Sequence, residues 1–177
     1  MKKILLIIII LMEQPGFGQS RWTVDSAYIG FQIVNAGINV KGTFNGLQSQ
    51  ISFNRKKLKK SGFTASVDAG SVNTGIRIRD KHLKKSEFFD IERYPVITIT
   101  SIEILELEPQ EFKASCVLNL KGKQESVSIP FTFQEMPEYA IMRGDFKMNR
   151  IDYQIGEKSL ILSDSVAINI WLRLKEQ

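Results

Sequence analysis

Apolar and polar residues alternate through most of this chain, and the alternation changes character at only one place. In "YIGFQIV", Ile29, Phe31 and Ile33 share one side while Gly30 and Gln32 take the other. "VKGTF" repeats the pattern with Val40, Gly42 and Phe44, "QISFN" with Ile51 and Phe53, and "GFTASVDA" with Phe63, Ala65 and Val67. Further on, "VITITSI" sets Ile97 and Ile99 against threonines, and "FKASCVLNLKG" aligns Phe112, Ala114, Cys116, Leu118 and Leu120. "VSIPFTF" aligns Val127, Ile129, Phe131 and Phe133; "AIMRGDFKM" aligns Ala140, Met142, Gly144, Phe146 and Met148; "VAINIWLRL" aligns Val166, Ile168, Ile170 and Leu172. A period of two is the mark of a strand with one buried and one wet face. Eight or nine such runs, parted by turn residues, predict an all-β antiparallel sandwich or barrel. Asn45-Gly46, between the second and third runs, is a strong short hairpin signal.

The interruption is "TGIRIRDKHLKKSEFFDIERYP", Thr74 to Pro95. Asn73 or Thr74 is expected to cap a short helix whose face carries Arg77, Asp80 and Lys84 at ion-pair spacing. Ser86 then opens a turn leading to Phe88 and Phe89, and Pro95 returns the chain to strand. The helical insert is expected over about residues 75–92, and most of its charges read as a solvated face.

Before the first strand, Lys2 and Lys3 precede an apolar run, Ile4 to Met12, and then Gly16 and Gly18. This is the layout of a cleaved secretory signal, too short to span a bilayer comfortably. The expected division is a signal peptide over residues 1–18 and one domain over 19–177, periplasmic or secreted. Loss of the signal lowers the formal charge from +5 to +4. A lone cysteine, Cys116, cannot form an intrachain disulfide, so the core alone must hold the fold.

Little in the sequence speaks for catalysis. One histidine and one cysteine do not make a closed zinc site, and P-loop, G-x-S-x-G and G-x-G-x-x-G motifs are absent. Cys116 on an apolar strand face reads as a small hydrophobe rather than a nucleophile. No enzymatic activity, no cofactor and no metal are expected. The basic run "RKKLKK", Arg55 to Lys60, lacks the interleaved aromatics that single-stranded nucleic acid prefers, so no nucleic-acid partner is expected. An outer-membrane barrel has the same alternation turned inside out, but Lys41, Asp68, Lys113, Arg143, Asp145 and Lys147 lie on the face that would meet lipid.

The ordered set "WTVDSAYIGFQI", "VKGTFNGL", "DAGSVNTG", "RDKHLKKSEFFDIERYPVITITS", "LNLKGKQESVSIPF" and "FKMNRIDYQIG" resembles the YceI-like family of exported, polyisoprenoid-binding, lipocalin-like proteins. The resemblance covers nearly all of the chain after residue 18. It implies an antiparallel barrel of about eight strands, with a helical insert near one end and an apolar tube for a long isoprenoid, quinone-like or fatty chain. That chain is the expected ligand, carried or sequestered by a monomer or weak homodimer with at most peripheral membrane contact. Phe31, Ile33, Phe44, Phe53, Ile99, Leu118, Phe131, Phe133 and Phe146 are then expected to line the tube. Phe88 and Phe89 are expected to plug its end, with Arg79 and His82 as polar contacts at the mouth and Arg150 as a weaker one. Arg79, Asp80 and His82 are also expected to tie the insert to the barrel rim. The chain departs from the family at Asp25-Ser26-Ala27-Tyr28 and Val34-Asn35-Ala36-Gly37, where members commonly carry histidines. If those histidines touch a polar headgroup elsewhere in the family, a different headgroup, or none, is expected here. The alternative from the residues alone is a structural barrel with a filled core, because a barrel of this size can pack itself solid.

Overall fold

In the computed structural model, which describes residues 21–177, hydrogen bonding joins every strand antiparallel to its neighbours and closes the sheet on itself. The strands are β1 (Arg21–Asn35), β2 (Ile38–Phe44), β3 (Gln48–Ser52), β4 (Gly62–Asp68), β5 (Val96–Glu108), β6 (Glu111–Leu120), β7 (Lys123–Glu135), β8 (Ala140–Asn149) and β9 (Leu162–Glu176). Pairing of β1 with β9 completes the ring. The expected signal segment, Met1–Gly18, lies outside the described residues.

The strands make eight staves, because β2 and β3 form one. Both run antiparallel to β1 on the same edge, β2 against Ile29–Asn35 and β3 against Arg21 and Trp22. Asn45-Gly46 is therefore a kink within a stave and not the hairpin turn expected from the sequence. The first hairpin turns instead at Ala36 and Gly37, both with positive φ, the conformation a tight two-residue turn demands. The closed ring is a barrel small enough to be filled by side chains or to hold one ligand.

Bulges reset which residues face inward. β1 slips register between Val24 and Ser26, so Trp22 and Val24 pack inward below the slip and Ile29, Phe31 and Ile33 above it. The bulged Asp25 is held by Lys175 at 2.6 Å and Arg173 at 3.6 Å. A second slip in β5, between Ser101 and Glu103, leaves Ile102 exposed and returns Ile104 to the core. Between β6 and β7 no slip occurs, and Phe112, Ala114, Cys116, Leu118 and Leu120 are all buried as the alternation predicts. Burial raises the Cys116 thiol to about 11, so it stays protonated at neutral pH.

The core is unequal along the barrel axis. At one end Trp22, Phe53, Phe112, Phe131 and Phe133 interlock into a floor, with Phe53 and Phe133 centroids 4.5 Å apart and Trp22 edge-on to Phe133 at 5.2 Å. The Trp22 indole N–H donates to the Phe53 carbonyl at 2.9 Å, which satisfies the only polar group that ring brings inside. At the other end Val72, Phe89, Leu118, Leu120, Tyr153 and Ile155 form a second cluster under the segment between β4 and β5. That segment holds a 3₁₀ turn, Ala69–Ser71, and one short helix, α1 (Arg77–Leu83).

Candidate functional site

Between floor and insert the barrel encloses a cavity of about 440 Å³. Its walls take Phe31, Ile33 and Phe44 from the first hairpin, and Ile99, Leu118, Phe131 and Phe146 from β5 to β8. Phe88 and Phe89 lie over it from the insert, and Arg79 and His82 approach it from α1. Asn35 and His82 line the cavity and are also exposed, so it reaches solvent between the β1–β2 turn and α1.

Two expected lining residues lie elsewhere. Phe53 and Phe133 point inward, but they sit in the aromatic floor and do not border the cavity. A period-two pattern assigns a face and says nothing of depth along the barrel axis. The tube is thus closed below by packed rings and covered above by the insert.

Local packing shapes the upper wall. Phe31 lies across Gly42, its cross-strand partner, where a Cβ would fall 2.3 Å from the ring. The ring then tilts against Phe44, centroids 5.5 Å apart, and Phe44 meets Phe89 edge-on at 5.4 Å. A row of aromatic contacts therefore runs from barrel wall to insert. Phe88 packs instead on His82, 4.9 Å between centroids.

The insert is braced differently from expectation. Neither Asn73 nor Thr74 caps α1; its N-cap is Ile76, which offers no side-chain hydrogen bond. Thr74 is bound from the helix instead. Its backbone N–H (2.8 Å) and its hydroxyl both donate to the Asp80 carboxylate, while Arg79 donates to its hydroxyl (2.8 Å) and carbonyl (2.9 Å). Arg79 and Asp80 thus fold the insert onto its own entrance, and His82 pairs with Glu87 inside the insert at 3.9 Å. The tie to the barrel, which the sequence reading gave to these three residues, is made by other groups. Asn73 and Thr43 exchange backbone hydrogen bonds at 2.9 and 3.0 Å. Lys121, in the β6–β7 turn, donates to the carbonyls of Glu87 (3.2 Å) and Gln154 (2.7 Å). Partial burial, offset by Asp90 and Glu87, lowers the Lys121 ammonium. A lysine next to a hairpin glycine reads as solvated, so no sequence signal marked it.

The Thr74 hydroxyl, first, and its amide hold the Asp80 carboxyl below its ordinary 3.8 against the opposing pull of burial. Because the folded value is the lower one, this tie is complete above about pH 4 and is lost as pH falls through the lowered value. At neutral pH, Asp80→Ala is expected to speed amide hydrogen exchange between Thr74 and Tyr94 and leave β6 and β7 protected, as read by exchange mass spectrometry. Unchanged exchange across that segment would show the brace to be idle.

Arg150 borders the cavity, is 2% exposed and has no capacity left for a ligand. Its Nε donates to Ser163 O, Nη1 to Ile155 O and Glu157 O, and Nη2 to Leu162 O and the Asp164 carboxylate, at 2.8–3.2 Å. A guanidinium has five N–H groups, and all five are engaged. Arg150 is the knot of the β8–β9 loop, not the polar contact proposed for it from sequence. Among the described residues, no group of three His, Cys, Asp or Glu side chains could hold a metal ion, and no helix is long and apolar enough to cross a membrane.

A family model described as a YceI-like domain matches residues 22–174. A UPF0312 protein of Vibrio cholerae serotype O1 is 26% identical over 108 residues, covering 60% of this chain and 57% of the relative. Protein YceI of Salmonella arizonae is 28% identical over 104 residues, covering 58% and 54%. The chain thus spans a little over half the length of the curated relatives it matches. Among solved structures, Burkholderia cenocepacia BcnA superposes with a TM-score of 0.82 at 21% identity, covering 85% of this chain and 99% of that one. A polyisoprenoid binding domain from Saccharophagus degradans gives 0.71 at 16% identity, covering 90% and 99%. At these identities the structures establish the fold.

Proposed function

Because the chain belongs to the YceI-like family, we propose that its barrel binds the apolar chain of a lipid, an isoprenoid by preference, for carriage or sequestration outside the cytoplasm. The observation that carries this is the cavity of about 440 Å³ above a fully packed floor. A space of this size, lined mainly by apolar side chains, far exceeds the voids of a packed core and falls in the range of small-ligand pockets. An apolar void of this kind does not fill well with water. The floor is packed solid with side chains and the upper half is not, which supports the binding reading over a filled core.

Counting about 30 Å³ for each water- or methylene-sized group, the space accepts about fifteen carbons, or three isoprene units. At about 0.8 kcal/mol per buried CH₂ that is about 12 kcal/mol gross, reduced by the cost of ordering a flexible chain. Any further length leaves through the mouth past Asn35 and His82. Arg79 and His82 are the proposed polar contacts there. The name of the Saccharophagus domain supports the isoprenoid class; export is supported by the Lys2-Lys3 and Ile4–Met12 pattern.

Release kinetics test the role of the insert. A fluorescent prenyl probe loaded into delipidated protein should leave several-fold faster from a Phe88→Ala, Phe89→Ala double variant, with the barrel still folded by circular dichroism. An unchanged off-rate in the folded variant would mean that the chain is closed in by other residues.

A further inference from the structure

Single exposed hydrophobic residues are common on any surface and need no explanation. Among the described residues, four of the five most exposed large ones gather around one opening. Leu160 (107% exposed) and Ile161 (62%) stand on the β8–β9 loop, Ile38 (69%) on the β1–β2 turn, and Ile78 (85%) on α1. The loop and the turn are joined by a hydrogen bond from the Ala36 N–H to the Ile161 carbonyl, 2.7 Å. The same three segments supply the cavity's rim through Leu162, Asn35 and Arg79.

Cations accompany them. From Arg77 to Lys85 there are five, Arg77, Arg79, Lys81, Lys84 and Lys85, against one carboxylate, Asp80, which Thr74 engages. Arg77, Lys81 and Lys85 are exposed alongside Ile78, and Lys158 is exposed two residues from Leu160. Of the nearby acids, Glu87 faces His82, Asp164 is held by Arg150, and Glu157 adjoins Lys158. The floor end differs. Its exposed Leu105 and Leu107 lie among Glu103, Glu106, Glu108 and Glu111, and its basic run from Arg55 to Lys60 contains one apolar residue, the partly buried Leu58.

We propose that the mouth end docks on the surface of a bilayer containing anionic lipid, so that the bound chain passes between membrane and cavity without crossing water. Apolar side chains flanked by lysine and arginine suit that interface: the aliphatic side chains enter the headgroup layer while the cations meet phosphates. The coincidence of the two selects this end: at the floor the exposed Leu105 and Leu107 lie among carboxylates that anionic lipid repels, and the cations of Arg55–Lys60 have no exposed apolar residue among them. The inference rests on the lipid-binding reading and adds to it where the lipid is taken up and delivered.

The test uses the full chain carrying a single environment-sensitive dye at Leu160→Cys or, separately, at Leu107→Cys. Cys116 is 1% exposed and remains unlabelled. Vesicles are phosphatidylcholine with or without about 30% phosphatidylglycerol. With phosphatidylglycerol the dye at position 160 should shift to the blue, the shift should fade as salt is raised, and the dye at 107 should not respond. Adding Ile38→Ser and Ile78→Ser should weaken vesicle binding about tenfold. Because each dye reports its own position, the N-terminal apolar run cannot create the difference between the two.

A silent dye at 160, or a shift at 107 instead, would overturn the proposal; the latter would assign the contact to the Arg55–Lys60 end. A shift at 160 that needs no vesicles and grows with protein concentration would assign the rim to a second copy of the chain, and would overturn it too. Failure here with lipid still co-purifying leaves the binding reading intact, whereas docking by a protein whose cavity takes no lipid would contradict that reading alone.

Discussion

Phe131→Arg is expected to abolish retention of an apolar chain and to lower stability by about 4 kcal/mol or more, the range for losing a buried ring while burying an unpaired charge. Phe131 is buried at the junction of floor and cavity, stacked on Phe112 at 5.3 Å and 5.7 Å from Phe53. A guanidinium there would sit among apolar side chains with no carboxylate in the cavity lining. One position along, Thr132→Arg should change stability by less than about 0.5 kcal/mol. Its side chain faces outward, with Glu111 opposite on one neighbouring strand and Arg143 on the other, so the new charge meets one of each sign. Urea unfolding of the pair reads the contrast. Equal losses would mean that the register of β7 is wrong.

The second large effect is expected from a residue that borders the cavity but has every N–H group engaged within the protein. Arg150→Met removes five hydrogen bonds at once and leaves four backbone carbonyls, one in a buried and three in partly buried hydrogen bonds, without their donor. A loss of about 4 kcal/mol is expected, because stranded buried acceptors cost more than the net worth of the bonds they made. Asp164→Asn should cost less than about 1 kcal/mol, since Asp164 is 45% exposed and solvent screens its share of the pair. If both variants melt alike, or if Arg150→Met is neutral, the loop is held by its backbone and not by the knot. Loosening it should also enlarge the mouth, because the loop leads into Leu162, which borders the cavity.

How much of this could be read from residues alone depends on whether a strand keeps its register. β6 and β7 pair without a slip, and there every alternate apolar residue is where the pattern puts it. β1 and β5 each contain bulges, and the alternation changes phase within a single strand. Trp22 therefore escaped notice as part of the floor, and Ile102 turns outward. Asn45-Gly46 has the chemistry of a hairpin turn, but both segments it joins bond to one edge of β1, and only that long-range pairing decides between kink and hairpin.

Among the thirteen candidate binding residues, eleven border the cavity and two, Phe53 and Phe133, are packed beneath it. Facing inward was legible; depth was not, because it depends on the stagger of strands in the closed ring. The insert is a similar case. Its apolar tip over the cavity follows from Phe88 and Phe89, but Thr74 as the common partner of Arg79 and Asp80 reverses the capping logic that a helix start suggests. From the sequence Arg150 reads as a weaker polar contact at the mouth. Its burial follows from the fold of the loop around it, which no local pattern encodes.

The central claim is that the cavity above the floor is occupied by a hydrocarbon chain. Native mass spectrometry of protein purified without detergent, followed by organic extraction and identification of what is released, tests this most directly. The account predicts a co-purifying lipid, an isoprenoid by preference, whose buried portion is about three isoprene units and whose removal lowers the melting temperature of the barrel. Protein that carries no lipid, takes up no prenyl or fatty chain when offered one, and melts unchanged would contradict it.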